Sequence, residues 1–234
     1  MALISRQRQF VFVHIQKTGG RTIERLLRQH VPDAQPLGRA AHIPWRAIAG
    51  RLDRPEQYIV FAFVRNPWER LVSWYTMIHE AFALGLPDAL KSRRNLHHFL
   101  YARYNPLWRD VHRHAPTFDE FVRKCRRQIE VKPGIHYSCG YPQSDYLKAA
   151  DDTFRADFVG RIEHFAGDVA ALGHRLGVDF DTIPHENRSL HAHYADYYTP
   201  QTQAIVRDVF REDIERFGYA FNASDASSPS SAQP

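Results

Sequence analysis

The stretch Phe10-Val11-Phe12-Val13-His14-Ile15-Gln16-Lys17-Thr18-Gly19-Gly20-Arg21-Thr22 decides the fold. Phe10 to Val13 is an unbroken apolar run, the pattern of a strand buried on both faces. Lys17 to Thr22 then turns into a helix start. The same plan recurs in Phe61-Ala62-Phe63-Val64-Arg65-Asn66-Pro67-Trp68-Glu69-Arg70-Leu71-Val72-Ser73. There Asn66 can cap the helix, Pro67 suits its first position and Glu69 stands where a capping-box carboxylate would. Apolar strands alternating with helices specify an α/β domain, a central parallel sheet flanked by helices. Such sheets bind ligands at the carboxyl ends of their strands, where both stretches end.

Working outward, the pattern predicts strands at about 9–14, 58–64 and 157–160, and helices at about 20–30, 44–50, 66–80, 162–175 and 200–217. The last helix is capped by Thr199, followed by Pro200, and stopped by Gly218. Its apolar residues Ile205, Val206, Val209, Phe210, Ile214 and Phe217 keep helical spacing. The segment 81–150 reads as helix and loop rich in Arg, His and aromatics. Residues 1–221 form one domain, and the Ser/Ala/Pro-rich 222–234 reads as a disordered tail.

Bulk properties narrow the class. The 234 residues suffice for one full core, and 44% hydrophobic with 24% charged is ordinary for a globular protein. A net charge of +5 favours anionic ligands without demanding nucleic acid. Cys125 and Cys139 are too few for a disulfide framework and fit a reducing compartment. The N-terminus lacks a signal peptide's apolar region, and no run approaches the roughly 20 residues of a membrane helix. A soluble, cytoplasmic protein is the expectation.

The first junction is an anion cradle. Gly19 and Gly20 let backbone approach a ligand closely. The unpaired N–H groups and dipole of the helix start attract negative charge. Lys17 adds a full charge; Thr18 and Thr22 add hydroxyls. The Walker A order is absent, because the lysine precedes the glycines. At the second junction Arg65 can grip a phosphate through paired bonds, and Ser73 lies roughly 10 Å further along the helix axis, within reach of the same ligand. Two such junctions can hold two phosphate groups of one nucleotide.

Together the stretches resemble the sulfotransferases that use 3′-phosphoadenosine 5′-phosphosulfate (PAPS), most closely the carbohydrate 2-O- and 4-O-sulfotransferase branch. The family's H-I-P-K-T-G-G-T-S is matched by His14 to Thr22, with Gln16 for proline, Arg21 for threonine and Thr22 for serine. Its R-N-P-x-x-R-L-V-S-x-Y is intact from Arg65 to Tyr75. Weaker echoes are Pro142 to Leu147, Val159 to Glu163, and the ending from Tyr197 to Tyr219. The resemblance implies a P-loop-like sheet, PAPS as donor and adenosine 3′,5′-bisphosphate as product. It implies that Lys17, Thr18, Gly19, Gly20, Arg21 and Thr22 hold the 5′-phosphosulfate, that Arg65 and Ser73 hold the 3′-phosphate, and that Arg161 and Arg188 add nucleotide contacts. Lys17 would also neutralise the departing bridging oxygen.

A base must take the acceptor's proton, and histidine suits that task. Related carbohydrate enzymes use a histidine between the two motifs, which makes His42 the candidate. His30 falls at a helix end, where a cation suits the dipole. Glu24 stays in reserve. His14, Gln143 and Tyr146 are candidates for lining the acceptor side. The acceptor is a hydroxyl compound, a glycan or small alcohol. The close pairs His112/His114 and His191/His193 lack further ligands at recognisable spacing, so no metal is expected. The basic clusters 91–94 and 123–127 read as solvated helix faces that can also meet an acidic acceptor. Two other readings remain: a kinase-like nucleotide phosphotransferase, and a non-catalytic module that binds acidic polymers.

Overall fold

The computed structural model describes residues 1–38, 42–132, 135–180 and 193–221. In chain order the elements are β1 (Leu3–Ser5), β2 (Phe10–Phe12), α1 (Gly20–His30), β3 (Gln35–Pro36), α2 (Trp45–Ala49), β4 (Ile59–Val64) and α3 (Pro67–Ala83). A helical block follows: α4 (Leu86–Ala89), α5 (Arg93–Tyr104), α6 (Pro106–His114) and α7 (Phe118–Lys124). The chain ends with β5 (Ile129–Lys132), β6 (Ile135–Tyr137), β7 (Phe158–Arg161), α8 (Phe165–Leu176), α9 (Pro200–Val209) and α10 (Arg211–Phe217).

Five strands form one mixed sheet in the order β3-β1-β2-β4-β7. Its core is parallel, with Val11 opposite Val60 and Ala62 opposite Val159. β1 pairs antiparallel with both β2 and the edge strand β3. Period-two alternation sends Phe10, Phe12, Phe61 and Phe63 to one face, against Ile23, Leu26 and Leu27 of α1 and Val169 and Leu172 of α8. Val11, Val13, Val60, Ala62 and Val64 face the other side, against Trp45, Ile48, Leu147 and Phe217. Burying each such large apolar side chain contributes roughly 1.5–3 kcal/mol. A third cluster, with Trp68, Leu71, Trp74, Trp108, Phe121 and Phe210, joins α3 to the helical block and α9.

Three features depart from the sequence expectation. β1 and β3, of three and two residues, are too short to leave a periodic signal. The β5–β6 hairpin interrupts a region read as helix and loop. The expected helix at 200–217 breaks at Phe210, whose φ −112 and ψ 28 separate α9 from α10; the break lets Phe210 enter the third cluster while Phe217 enters the sheet's second face. Arg188, His191 and the tail 222–234 lie outside the described residues. Among the described residues no helix is long and apolar enough to cross a membrane.

Candidate functional site

β2 and β4 are adjacent and parallel, so the loop leaving β2 lies beside the start of α3. The sheet ladder extends past β2 through Val13 N–H to the Phe61 carbonyl at 2.8 Å. Beyond it the loop is pinned by the Thr18 hydroxyl, which donates to the Ile15 carbonyl at 3.0 Å. Lys17 and Gly19 both adopt left-handed backbone, φ 69, and α1 starts at Gly20 with no side chain capping it. A Cβ on Gly20 would stand 2.1 Å from the His14 ring, and one on Gly19 2.4 Å from Ile162. Gly19 is therefore required by the left-handed turn and Gly20 by packing against the His14 ring. The result is an open helix N-terminus behind a loop that carries a lysine, a ready anion site.

The Lys17 amine lies 3.2 Å from Met77 Sδ and 5.9 Å from the Trp74 ring centroid, both on α3. Burial first, then the Arg65 and Arg94 charges, lower its pKa to about 7, although Glu80 and Cys139 pull the other way. Arg65, just ahead of α3, is thus close enough to act on Lys17.

Arg65 donates from Nη2 to Glu69 at 2.7 Å, while its Nε is buried with no hydrogen-bond partner. The Asn66 side chain caps α3 by accepting from Trp68 N–H at 3.0 Å. The expected capping box does not form: the Asn66 N–H donates to Glu163 at 2.5 Å, and Glu69 binds Arg65. Ser73 is buried, and its hydroxyl has no hydrogen-bond partner among the described residues. An unpaired buried guanidinium N–H just ahead of α3 and an unpaired hydroxyl on it fit a phosphate, so the residues present match a nucleotide with anionic groups at both ends.

The histidines divide into two groups. His42 lies against His14, with ring centroids 4.6 Å apart, and its Nδ1 is 2.9 Å from the His14 carbonyl. A carbonyl only accepts, so Nδ1 carries the hydrogen and Nε2 keeps its lone pair. Burial lowers the His42 pKa to about 4; the bond to the His14 carbonyl raises it, while the Met1 amine and Arg70 lower it. The ring is therefore neutral at pH 7, with Nε2 unprotonated and less basic than an ordinary imidazole. His14 itself is buried, bonded at Nδ1 to the Met1 amine at 2.8 Å, and held well below the usual range by burial and then by His42. Glu24 is engaged by the Met1 amine and Arg28.

His98 on α5 was not singled out by sequence. Burial, then Arg94, His97, Lys17 and Arg21, lower its pKa to about 4. Arg94 acts on both His98 and Lys17, so part of the cluster 91–94 faces the loop rather than solvent alone. Its only sequence signal was the four-residue spacing of Arg94 and His98 on one helix face.

Other candidates are placed elsewhere. Gln143 is fully buried: its side chain accepts from Arg65 N–H at 2.9 Å and donates to the Arg65 carbonyl at 2.8 Å. Tyr146 is buried in the sheet's second face, 4.9 Å from Tyr141. Both are interior supports rather than acceptor contacts. Arg161 stands beside the Arg65 strand end, opposite Val64, but it donates to the Phe217 carbonyl and stacks on Tyr219 at 5.1 Å, which commits it to the C-terminal helix. Arg70, inside the second motif, is the unforeseen element: fully buried, it donates to the Gln16 carbonyl and the Tyr141 carbonyl, each at 2.9 Å. His112 stacks on Phe82 at 3.9 Å and His114 pairs with Asp110 at 3.0 Å. Among the described residues no group of three or more His, Cys, Asp or Glu is placed to hold a metal ion.

Comparison with known proteins gives one match. The family model described as "Sulfotransferase family" matches residues 1–220. No curated protein and no solved structure matches the chain.

Proposed function

As a member of the sulfotransferase family over residues 1–220, the chain is a PAPS-dependent sulfotransferase, and we propose that it delivers the sulfuryl group to a carbohydrate hydroxyl through Lys17, Arg65 and His42. The observation that carries this reading is the meeting of Lys17 with α3 and Arg65 at neighbouring strand ends. One cradle and one unpaired guanidinium then face the two ends of a single nucleotide.

PAPS supplies a sulfuryl group already activated on an anionic leaving group. The open α1 N-terminus with Gly19, Gly20, Arg21 and Thr22 binds the 5′ end, and Arg65 with Ser73 binds the 3′-phosphate. Lys17 needs only to swing from Met77 toward the bridging oxygen and take up charge there. In-line transfer requires little else than position and charge stabilisation. His42, neutral with a free Nε2, accepts the acceptor's proton. The acceptor hydroxyl approaches between the loop and the helical block.

The test is transfer of labelled sulfate from PAPS to a panel of glycans and small alcohols, run beside calorimetry of adenosine 3′,5′-bisphosphate and Mg-ATP. Turnover with glycans and tighter binding of the bisphosphate are expected. Tighter Mg-ATP binding would favour a phosphotransferase. Turnover on small alcohols alone would overturn the carbohydrate reading.

A further inference from the structure

The Lys17 amine rests on the sulfur of Met77, at 3.2 Å. Met77 projects from α3 one turn beyond Trp74, whose ring the same amine faces. The side chain is half-buried against the third cluster, so part of it meets solvent. Met1 and Met77 are the only methionines in the chain.

A thioether is a weak hydrogen-bond acceptor. It suits a resting place that Lys17 must leave to reach the bridging oxygen. A sulfoxide is different, because oxidation turns the apolar thioether into a polar group. Its oxygen beside a half-buried ammonium makes a charge-assisted hydrogen bond, one of the strong kind. Around the amine, Arg65 and Arg94 disfavour the charged form and the exposed Glu80 favours it. Burial keeps the Cys139 thiol protonated and His98 neutral. A new acceptor at Met77 would therefore shift the balance toward a charged amine fixed on α3.

We propose that Met77 is an oxidation site that controls Lys17: a peroxide converts its thioether to the sulfoxide, whose oxygen holds the Lys17 ammonium on α3 and away from the bridging oxygen of PAPS. In that step sulfur gives an electron pair to one peroxide oxygen, the O–O bond breaks, and the other oxygen leaves as water with both protons. Sulfur is oxidised and the peroxide reduced. Methionine sulfoxide reductases reverse the change at the expense of thiols, one enzyme for each sulfoxide epimer. The inference rests on the role given to Lys17 above. Cys125 and Cys139 do not compete well for the oxidant, because both are buried and their thiols are pushed toward the protonated form.

The experiment treats the full chain with hydrogen peroxide and then with dithiothreitol, which returns any oxidised thiol but leaves a sulfoxide. Peptide mass spectrometry locates the added oxygen. Two quantities are then measured: sulfate transfer from PAPS, and the pH dependence of Lys17 acylation by acetic anhydride, a reaction of the neutral amine alone. The proteins are the wild type, Met77→Leu and Met77→Gln, each compared with its own untreated sample. In the wild type, kcat should fall by about tenfold or more, the effect of one charge-assisted bond that Lys17 must break. The acylation midpoint should rise from near 7 by about one pH unit, and the two reductases together should reverse both changes. Met77→Leu, which still carries Met1, should respond in neither. Met77→Gln places a permanent amide oxygen there, so it should begin with a raised midpoint and a lower kcat and ignore peroxide. Oxygen added at Met77 with an unmoved Lys17 midpoint would overturn the proposal, even if kcat fell, since that pattern is a packing lesion. Equal losses in Met77→Leu, or oxidation that spares Met77, would overturn it as well. Absence of transfer by the untreated protein would instead strike the sulfotransferase reading, and the acylation midpoint would still decide whether the sulfoxide holds Lys17.

Discussion

Lys17 is held in left-handed backbone with its amine against the Met77 thioether and the Trp74 face; its burial, with the Arg65 and Arg94 charges, disfavours its own charge. With a pKa of about 7, it is largely neutral in the free protein at pH 8. Binding an anion beside it restores the proton, so above pH 7 binding consumes one proton and Kd climbs by up to tenfold per unit until the bound-state pKa is reached. Below pH 7 the amine is already charged and this dependence vanishes. Calorimetry of adenosine 3′,5′-bisphosphate over pH 7–9 should show the slope and the proton uptake, and Lys17→Arg, always charged, should flatten both. A wild-type Kd unchanged over that range contradicts the assignment. Arg65→Ala removes the guanidinium whose Nε is unpaired; two lost charge-assisted bonds, at about 1.5–3 kcal/mol each, predict at least a hundredfold weaker bisphosphate binding. His42→Ala should lower kcat by about 10²–10⁴-fold and leave bisphosphate affinity unchanged. Retained turnover would move the base to another side chain, with His98 the next to test.

At the scale of elements, the cradle depends on how closely α1 approaches β2. His14, two residues past β2, folds its ring over Gly20, where a methyl group would lie 2.1 Å from a ring carbon. Gly20→Ala must push His14, and with it His42, off position. Overpacking of this kind costs about 1–3 kcal/mol, which chemical denaturation will read, and kcat should fall as well. His14→Ala removes the obstruction, so the double variant should recover stability relative to Gly20→Ala; strict additivity of the two changes would show that the contact is not the cause. The strand–turn–helix junctions were legible in sequence because both signals are local: continuous apolar runs, glycines, and an Asn-Pro helix start. The Glu69 partner was not, since a capping box and a salt bridge to Arg65 use the same position, and it is Glu163, 97 residues on, that takes the Asn66 N–H and leaves Glu69 to Arg65. Nor were Gln143 and Tyr146, which read as polar groups for a substrate but are consumed by backbone and core. A polar residue's partner is set by chain segments 70 or more positions away, and periodicity carries no information about those.

Across the whole molecule, the site is braced from the far end of the chain. Asp213 of α10 is fully buried and accepts from Gln143 N–H at 2.7 Å and Ser144 N–H at 2.8 Å. Gln143 in turn pairs with the backbone at Arg65 on both sides. Arg70 completes the frame by tying α3 to Gln16 in the first loop and to Tyr141. The last helix, the 141–144 segment and both anion junctions thus form one connected hydrogen-bonded unit, consistent with a family match that runs to residue 220. Removing either tie should therefore act at a distance. Asp213→Ala leaves two buried N–H groups without partners, at about 1–3 kcal/mol each, and loosens Gln143 against Arg65. Arg70→Met frees the Gln16 and Tyr141 carbonyls at a comparable cost and loosens the Lys17 loop. Both variants should show a lower denaturation midpoint together with weaker bisphosphate binding, whereas Glu215→Ala, an exposed change two residues from Asp213, should show neither. Asp213→Ala that unfolds earlier yet binds the bisphosphate with wild-type affinity would mean that α10 supports the fold without positioning Arg65.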